Sequence, residues 1–225
     1  MKIHRFIGDF DLAQNTLEIG GEEGRQMAKI LRLEPGEKIE LSDGKGKSAL
    51  AEIIEIVGAA VKIRVESREE AKLEREVSLY CAILKKENFE LVVQKATECG
   101  VSKIIPILTA RTIKTGLNME RLRKIAKEAA EQSGRNSVPE ISEPRDFKNA
   151  LEATTGENIL FHMSGTKFEK SGTKNMNIWI GPEGGWSEEE LTLSKEKSFS
   201  VASLGPLTLR GETAAMIGSY LAVNL

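Results

Sequence analysis

The alternation of apolar and polar positions divides the chain into two parts. Up to about residue 66, apolar positions recur with a period of two and turn residues follow at short intervals, as in strands with one buried face. Residues 38–42, 49–57 and 61–65 are predicted strands, and Asp43-Gly44 is a tight-turn signal after the first of them. Strands this short, with turns this frequent, predict a small β-barrel.

One helical segment interrupts this first part. Residues 22–33 place Met27, Ile30 and Leu31 at helical spacing, so we expect these side chains to face the core. Pro35-Gly36 then predicts a turn. Residues 67–76 are nearly all polar or charged, and we interpret them as the linker between two domains, residues 1–70 and residues 71–225.

From Val77 onward, apolar runs alternate with segments of helical period. Predicted strands cover residues 77–84, 101–108, 158–162, 177–180 and 200–204. The continuous apolar run of the first indicates a strand buried on both faces of a parallel sheet. Between the strands, helices are predicted, and this alternation predicts an α/β domain with a mostly parallel, doubly wound sheet.

The predicted helices have recognisable ends. Asn88 is a candidate N-cap for a helix that buries Phe89 and Val93 and stops at Gly100, and Asn118 is a candidate N-cap for the next. Two further helices are predicted over residues 188–197 and 212–223.

Composition and cysteine usage narrow the class of protein. Of the 225 residues, 40% are hydrophobic and 29% are charged, as in a soluble globular protein. No apolar run approaches the ~20 residues of a membrane span, and the N-terminus lacks an apolar signal region, so we expect a cytoplasmic protein without a membrane segment. Cys81 and Cys99 lack CxxC spacing and the chain has two histidines, so we expect buried free thiols and no metal site.

The net charge of −2 gives no support for nucleic-acid binding, but its distribution is uneven. Residues 111–135 contain seven Lys or Arg and three Asp or Glu. A locally basic segment suits contact with phosphates, and it suits a solvated helix face equally well.

The strongest chemical signal is a glycine-rich loop, Gly181-Pro182-Glu183-Gly184-Gly185, between a predicted strand and a helix. Ser187 and Glu190 follow with the spacing of a capping box. Ligands of open α/β sheets bind at the carboxyl ends of strands, and glycines let them approach the backbone. The loop lacks the lysine of a phosphate loop, and Glu183 disfavours an anion. A neutral or cationic adenosine ligand such as S-adenosylmethionine fits better, and a plain strand-to-helix turn is the alternative.

A second signal is the segment LGPLTLRGETA at residues 204–214. Its apolar residues suit the faces of an adenine ring, and Arg210 at the start of the last helix can donate several hydrogen bonds to an anionic group. The alternative is that Arg210 and Glu212 form a surface ion pair and the segment only packs.

Further motifs accompany these two segments in a fixed order along nearly the whole chain. They are His4-Arg5-Phe6, Ile30-Leu31-Arg32-Leu33, residues 93–101 (VQKATECGV), residues 128–135 (EAAEQSGR) and Val138-Pro139. With them, the chain resembles the ribosomal RNA small subunit methyltransferase E family, the 16S rRNA uracil-N3 methyltransferases of the SPOUT superfamily. The resemblance implies a PUA-like β-barrel in residues 1–70, which helps to bind RNA, and an α/β methyltransferase domain with a deep trefoil knot in residues 71–225. It also implies a homodimer.

The implied reaction transfers the methyl group of S-adenosylmethionine to N3 of a uridine in 16S rRNA and releases S-adenosylhomocysteine. The implied substrate is the assembled small ribosomal subunit. Arg210 is the first candidate for stabilising the charge that develops when N3 loses its proton, and Arg135 is the second. Glu212 is a possible proton acceptor, although the identity of the base stays open.

The resemblance also implies two sets of binding residues. Those expected to bind the cofactor are Leu160, His162, Ile180, Gly181, Pro182, Glu183, Gly184, Gly185, Leu204, Gly205, Leu207, Leu209 and Thr213. Those expected to contact RNA are His4, Arg5, Arg32, Lys85, Lys86 and Arg111.

Three other functions compete with this interpretation. A knotted methyltransferase acting on tRNA, for example on ribose, keeps the fold but changes the substrate. A non-catalytic RNA-binding or ribosome-assembly protein would be expected to have lost Gly181, Gly184 or Arg210, and all three are present. A nucleotide-binding metabolic enzyme is disfavoured by the missing phosphate loop.

Overall fold

A computed structural model of the protein describes residues 3–71, 75–113, 116–169 and 172–225, without the side chain of Lys86. The described residues form two compact units. The first takes in the residues up to 71 together with Ala130–Val138, and the second takes in residues 75–129 together with Pro139–Leu225. The first unit is therefore discontinuous in sequence.

The first unit is built around a mostly antiparallel sheet. Its strands are β1 (His4–Ile7), β2 (Thr16–Ile19), β3 (Lys38–Ser42), β4 (Lys47–Val57) and β5 (Ala60–Glu70). They are ordered β1-β3-β4-β5-β2, with β1 parallel to β3 and the other neighbours antiparallel. The alternate positions Ile39, Leu41, Ile53 and Ile63 are buried in one cluster, so the three strands predicted from the period of two are confirmed.

The helical segment of this unit differs from the prediction. α1 (Gly21–Arg25) continues into a π-helical turn over Gln26–Ile30. Met27 is buried, but Ile30 is 69% exposed and Leu31 is 36% exposed. The prediction that Ile30 and Leu31 face the core is therefore wrong, because a π-helical turn changes the angle between successive side chains and ordinary helical spacing no longer assigns their face.

The predicted linker is also shorter than expected. β5 extends to Glu70, so residues 67–70 belong to a strand. Their side chains are exposed, and this explains why no period of two was visible there. Residues 72–74 of the predicted linker lie outside the described residues.

Hydrogen bonds hold Ala130–Val138, which come later in the sequence, to the rest of the first unit. The amide of Gly46 donates to the carbonyl oxygen of Asn136 at 2.8 Å. Asn136 Nδ2 in turn donates to Ser48 Oγ at 2.9 Å. Buried backbone groups need such partners, and here the partner comes from a distant part of the sequence.

The second unit contains a parallel sheet. Its strands are β6 (Glu76–Ala82), β7 (Lys103–Leu108), β8 (Glu140–Ile141), β9 (Arg145–Asp146), β10 (Glu157–Lys167), β11 (Asn175–Ile180) and β12 (Ser200–Ser203). The order is β12-β10-β11-β6-β7-β8, with β9 also beside β7, and these neighbours pair in parallel. The predicted parallel α/β sheet is confirmed.

Helices connect these strands. They are α2 (Lys86–Cys99), α3 (Met119–Ser133), α4 (Phe147–Ala153), α5 (Glu188–Glu196) and α6 (Gly211–Asn224). Phe89 and Val93 are buried and Gly100 ends α2 with a φ of 105°, as predicted. Asn88 is not the N-cap, because α2 begins earlier, at Lys86. Asn118 does cap α3, since its Oδ1 accepts a hydrogen bond from the Arg121 amide at 3.0 Å.

Each described helix is too short or too polar to cross a lipid bilayer.

Candidate functional site

A pocket of about 610 Å³ lies in the second unit, where β11 and β12 end beside β10. Its wall is formed by the glycine-rich loop after β11, the loop between β12 and α6, and residues 161–163 of β10. Lys85 and Asn88, at the start of α2, also line it. The volume is typical of a site for a small molecule or cofactor.

Most residues that the sequence assigns to a cofactor line this pocket. They are His162, Ile180, Gly181, Pro182, Glu183, Gly184, Gly185, Leu204, Gly205, Leu207 and Leu209, and the catalytic candidates Arg210 and Glu212 line it as well. Leu160 and Thr213 are outside the lining, and Leu160 is fully buried in a core cluster with Trp179. Sequence reasoning missed Phe161, Met163 and Trp186.

A bulge in β10 places residues beside the pocket. Phe161 and Thr166 both pair with Ala202 of β12, so the residues between them, beginning with His162, leave the ladder. Gly165 permits the close return, because a Cβ there would lie 2.4 Å from the Ala202 carbonyl carbon. A glycine shortly after an apolar strand is the signal that could have predicted this bulge.

Within the bulge, the ring of His162 is held by Ser164. His162 Nδ1 lies 2.8 Å from Ser164 Oγ and accepts a hydrogen bond from the Ser164 amide at 3.2 Å. A ring nitrogen that accepts a hydrogen bond from an amide cannot itself be the donor. Nε2 is therefore the nitrogen that can donate a hydrogen bond.

The glycine-rich loop forms a hydrogen-bonded turn and packs against the side chain of Trp186. The Gly185 amide donates to the Pro182 carbonyl oxygen at 2.8 Å, and Gly185 has a φ of 68°, which favours glycine. Trp186 is buried, and its Nε1 donates to the Phe161 carbonyl oxygen at 3.1 Å. A Cβ on Gly181 would lie 3.1 Å from the Trp186 ring. The loop is therefore fixed to β10 by a side chain that follows its glycines.

The predicted capping box after the loop is confirmed. Ser187 Oγ accepts from the Glu190 amide at 3.2 Å, and Glu190 Oε2 accepts from the Ser187 amide at 2.8 Å. Glu190 is only 5% exposed, and its other oxygen, Oε1, accepts from the Ala110 amide at 2.8 Å. The carboxylate therefore joins α5 to the segment after β7.

Arg111, which the sequence assigns to RNA, contacts this same loop. Its Nη1 donates to the Gly184 carbonyl oxygen at 2.6 Å. A Cβ on Gly184 would lie 3.3 Å from Arg111 Cδ, so the aliphatic part of the side chain also packs against the loop.

The two catalytic candidates of the pocket are free to meet a ligand. Arg210 is the N-cap residue of α6, its side chain is exposed, and its guanidinium makes no hydrogen bond or ion pair with the described residues. The alternative ion pair with Glu212 is therefore not formed. Glu212 Oε2 is buried and has no hydrogen-bond partner in the described part of the chain. A buried carboxylate oxygen without a donor is costly, so the site has an unused acceptor.

The remaining catalytic candidate, Arg135, is not among the residues that line the pocket. Arg135 belongs to the first unit, whereas the pocket is lined by residues of the second. Burial lowers the pKa of Arg135, and its Nη2 donates to Ser137 Oγ at 3.3 Å.

The other residues assigned to RNA have different surroundings. Arg5 forms an ion pair with Glu40, with 2.6 Å between Nε and Oε2, and His4 is half-buried in β1. Arg32 is exposed and has a φ of 54°, a conformation that is costly for a residue other than glycine. Lys85 lines the pocket, and the side chain of Lys86 lies outside the described residues.

Comparisons with known proteins place this geometry in context. The model of an RNA methyltransferase domain matches residues 71–221, and that of an RNA methyltransferase PUA domain matches residues 19–66. The chain is 30% identical to the ribosomal RNA small subunit methyltransferase E of Synechocystis sp., over 92% of this chain and 72% of that protein.

Two solved structures are similar over almost their whole length. One is the ribosomal RNA small subunit methyltransferase E of Neisseria gonorrhoeae bound to S-adenosylmethionine, with a TM-score of 0.89, 27% identity, and coverage of 97% of this chain and 95% of that one. The other is a methyltransferase of Legionella pneumophila in complex with the same cofactor, with a TM-score of 0.84, 30% identity, and coverage of 97% and 96%.

Proposed function

The chain belongs to the RNA methyltransferase family that includes the ribosomal RNA small subunit methyltransferases E, and from this premise we propose that it methylates 16S rRNA at N3 of a uridine, using S-adenosylmethionine. The observation that carries the proposal is the pocket, in which the glycine-rich loop and the segment before α6 meet around a small-molecule volume.

The residues of the pocket fit S-adenosylmethionine in three ways. Leu204, Leu207 and Leu209 supply apolar surface for an adenine ring. At Gly185 and Gly205, a Cβ would point into open space, so a ligand can lie directly against the backbone. Glu212 lines the pocket and its Oε2 lacks a donor among the described residues, and the amino groups of the cofactor can supply one.

When bound, the cofactor supplies an electrophilic methyl group. The protein must then orient the uracil and stabilise charge, because N3 loses its proton and negative charge spreads onto the neighbouring carbonyl oxygens. We assign that stabilisation to Arg210, whose guanidinium makes no hydrogen bond or ion pair with the described residues. A preorganised donor of this kind contributes about 10²–10³ in rate.

Proton acceptance at N3 is a separate task. Glu212 lines the pocket in the first turn of α6, close in sequence to Arg210. We propose that it binds the cofactor rather than the proton, because its Oε2 lacks a donor among the described residues and an amino group of a ligand can supply one. Holding the reactants in line contributes up to ~7–11 kcal/mol in favourable cases, so that a strong base is unnecessary.

RNA binding is proposed for the first unit and for the rim of the pocket. The match to an RNA methyltransferase PUA domain at residues 19–66 supports a PUA-like barrel closed from this sheet. Ile30, Leu31 and Arg32 are consecutive and exposed at the end of the π-helical turn, a combination that suits contact with phosphate and with an unstacked base. At the rim of the pocket, Lys85 supplies a positive charge that suits contact with phosphate.

Four finer features complete the proposal. They are a trefoil knot in the second unit, assembly as a homodimer, action in the cytoplasm, and the assembled small subunit as substrate. The first two and the last are what the resemblance to the ribosomal RNA small subunit methyltransferase E family implies, and the cytoplasm is what the sequence composition leads us to expect.

The proposal is tested by mass spectrometry of nucleosides. Purified protein and S-adenosylmethionine are incubated with unmodified small ribosomal subunits, and separately with naked 16S rRNA and with tRNA. We expect 3-methyluridine at one site in 16S rRNA. A methylated nucleoside in tRNA alone would move the substrate to tRNA, and 2′-O-methylation would exclude the uracil-N3 chemistry.

A further inference from the structure

Two side chains outside the pocket lining hold the glycine-rich loop from the side of β7. Arg111 donates to the carbonyl oxygen of Gly184 at 2.6 Å. Glu190 accepts from the amides of Ala110 and Ser187, at 2.8 Å in each case. Gly184 in the loop and Ser187 just after it are therefore linked to Arg111 and Ala110, two consecutive residues that follow β7.

The segment that makes these contacts is itself fixed. The amide of Thr109 donates to Thr112 Oγ1 at 3.0 Å, and the amide of Thr112 donates back to the Thr109 carbonyl oxygen at 3.1 Å. β7, which precedes the segment, lies between β6 and β8 in the sheet. The segment that restrains the loop therefore continues directly from a strand that has a neighbour on each side.

Burial and packing indicate how each side chain acts. Glu190 is almost completely buried, where a carboxylate needs donors for its oxygens, and both oxygens have an amide donor. Arg111 is exposed, yet its side chain lies along Gly184 closely enough that a Cβ there would be 3.3 Å from its Cδ. Arg111 therefore uses one of its hydrogen-bond donors to bind the loop.

We infer that Arg111 and Glu190 are positioning residues, which keep the glycine-rich loop in the shape that binds S-adenosylmethionine, and that Arg111 serves the cofactor site rather than RNA. The inference rests on the proposed function for its ligand. It replaces the assignment of Arg111 to RNA that the sequence suggested.

The test compares Arg111→Met with Arg123→Met by calorimetric titration of S-adenosylmethionine without RNA. Methionine retains much of the aliphatic stem but removes the donor and the charge. Arg123 is a matched control, since it is exposed in the same basic segment and its Nη2 lies 3.3 Å from Glu143 Oε1, away from the loop. We expect about tenfold weaker binding for Arg111→Met, as for the loss of one charge-assisted hydrogen bond, and wild-type binding for Arg123→Met.

Two further measurements separate positioning from general stability. Hydrogen exchange of the Gly185 amide should be faster in Arg111→Met without ligand, while the Tm stays the same. In a double-mutant cycle, Gly184→Ala should weaken binding less in the Arg111→Ala background, because removal of the long side chain leaves room for the new Cβ. Glu190→Gln loses one acceptor and should weaken binding as Arg111→Met does.

RNA binding provides the competing readout. Affinity for 16S rRNA fragments and its dependence on salt should be the same in Arg111→Met and Arg123→Met. A loss of RNA affinity in Arg111→Met alone, with S-adenosylmethionine binding intact, would return Arg111 to the phosphate contacts. Unchanged cofactor affinity with unchanged exchange at Gly185 would also overturn the inference, although the proposed function would stand. Failure of the wild-type protein to bind S-adenosylmethionine would instead remove the proposed function, and the inference with it.

Discussion

The indole nitrogen of Trp186 lies 3.1 Å from the carbonyl oxygen of Phe161, and this hydrogen bond joins the glycine-rich loop to the bulged strand β10. Because both residues line the pocket, the bond sets the distance between two of its walls. Trp186→Phe removes this donor to the carbonyl group of a buried residue. We expect the free energy of unfolding to fall by about 0.5–1.5 kcal/mol in urea titrations, as for the loss of one hydrogen bond, and cofactor affinity to fall several-fold.

Trp179→Phe is the matched control for this substitution. Its indole donates to Asn158 Oδ1 at 3.1 Å, in the core and outside the pocket lining. It should lose similar stability but retain cofactor affinity. Equal affinities in the two variants would show that the Trp186 bond does not shape the pocket.

Gly205 should be sensitive to substitution because of its backbone conformation. Its φ is 135°, and a Cβ would meet nothing within 4 Å, so Gly205→Ala introduces strain without a clash. We expect a cost of about 1–3 kcal/mol, relieved by a shift of the loop that weakens S-adenosylmethionine binding in calorimetry. Gly36→Ala provides the comparison, since Gly36 has a φ of 93° and the same open space. If Gly205→Ala binds like Gly36→Ala, the loop is not part of the site.

Arg210 should affect the rate more than the binding of the cofactor. Its guanidinium has no partner in the part of the chain that the structure describes, and it is proposed to meet charge that exists only during the reaction. Arg210→Ala should therefore lower the rate of methyl transfer to 16S rRNA by about 10²–10³ in single-turnover assays. The Kd of S-adenosylmethionine, measured by calorimetry, should change only a few-fold. Arg145→Ala, an exposed residue outside the pocket lining, should keep the wild-type rate. Full activity in Arg210→Ala would assign the charge stabilisation to another residue.

Glu212 should show a trade-off between stability and ligand binding. Its buried Oε2 lacks a donor among the described residues, and Glu212→Gln replaces the carboxyl group by a neutral amide of nearly the same shape. The ligand-free variant should be as stable as the wild type, or more stable by about 1 kcal/mol. The rise in Tm on adding S-adenosylmethionine should be smaller, because the variant binds it less tightly. The same rise in Tm for both proteins would contradict a contact between Glu212 and the cofactor.

The buried thiol of Cys81 predicts a loss of stability at alkaline pH. Burial raises the pKa of Cys81 above its ordinary value of 9.0. The unfolded chain therefore loses this proton as the pH passes 9 while the folded protein keeps it, so the stabilising contribution is complete below pH 9 and declines above it. In urea titrations between about pH 8 and 10.5, the wild type should lose up to ~1.4 kcal/mol per pH unit more than Cys81→Ala. Parallel profiles would mean that the folded thiol ionises normally.

Features that follow local rules could be predicted from the sequence. The capping box of Ser187 and Glu190 depends on residues three apart, and the structure contains both of its hydrogen bonds. The helix face of Phe89 and Val93 and the stop at Gly100 depend on spacing and on one conformational preference. The same locality made Ile30 and Leu31 misleading, because a single π-helical turn reverses what their spacing indicates.

Features that depend on distant partners could not be predicted in this way. Arg111 and Gly184 are 73 residues apart in sequence, and Ala110 and Glu190 are 80 apart. Nothing in the neighbourhood of Arg111 distinguishes an arginine that restrains a loop from one that contacts RNA. The β10 bulge could not be predicted for the same reason, since the register against Ala202 depends on the pairing of two strands.

The discontinuity of the first unit has a consequence for synthesis of the chain. The amide of Gly46 obtains its partner only when Asn136 has been made, and by then β6, α2 and β7 of the second unit have already been synthesised. Until that moment, the nascent N-terminal sheet must use water in place of its missing segment. During translation the two units therefore mature in an interleaved order, and completion of the first depends on a helix, α3, that begins in the second.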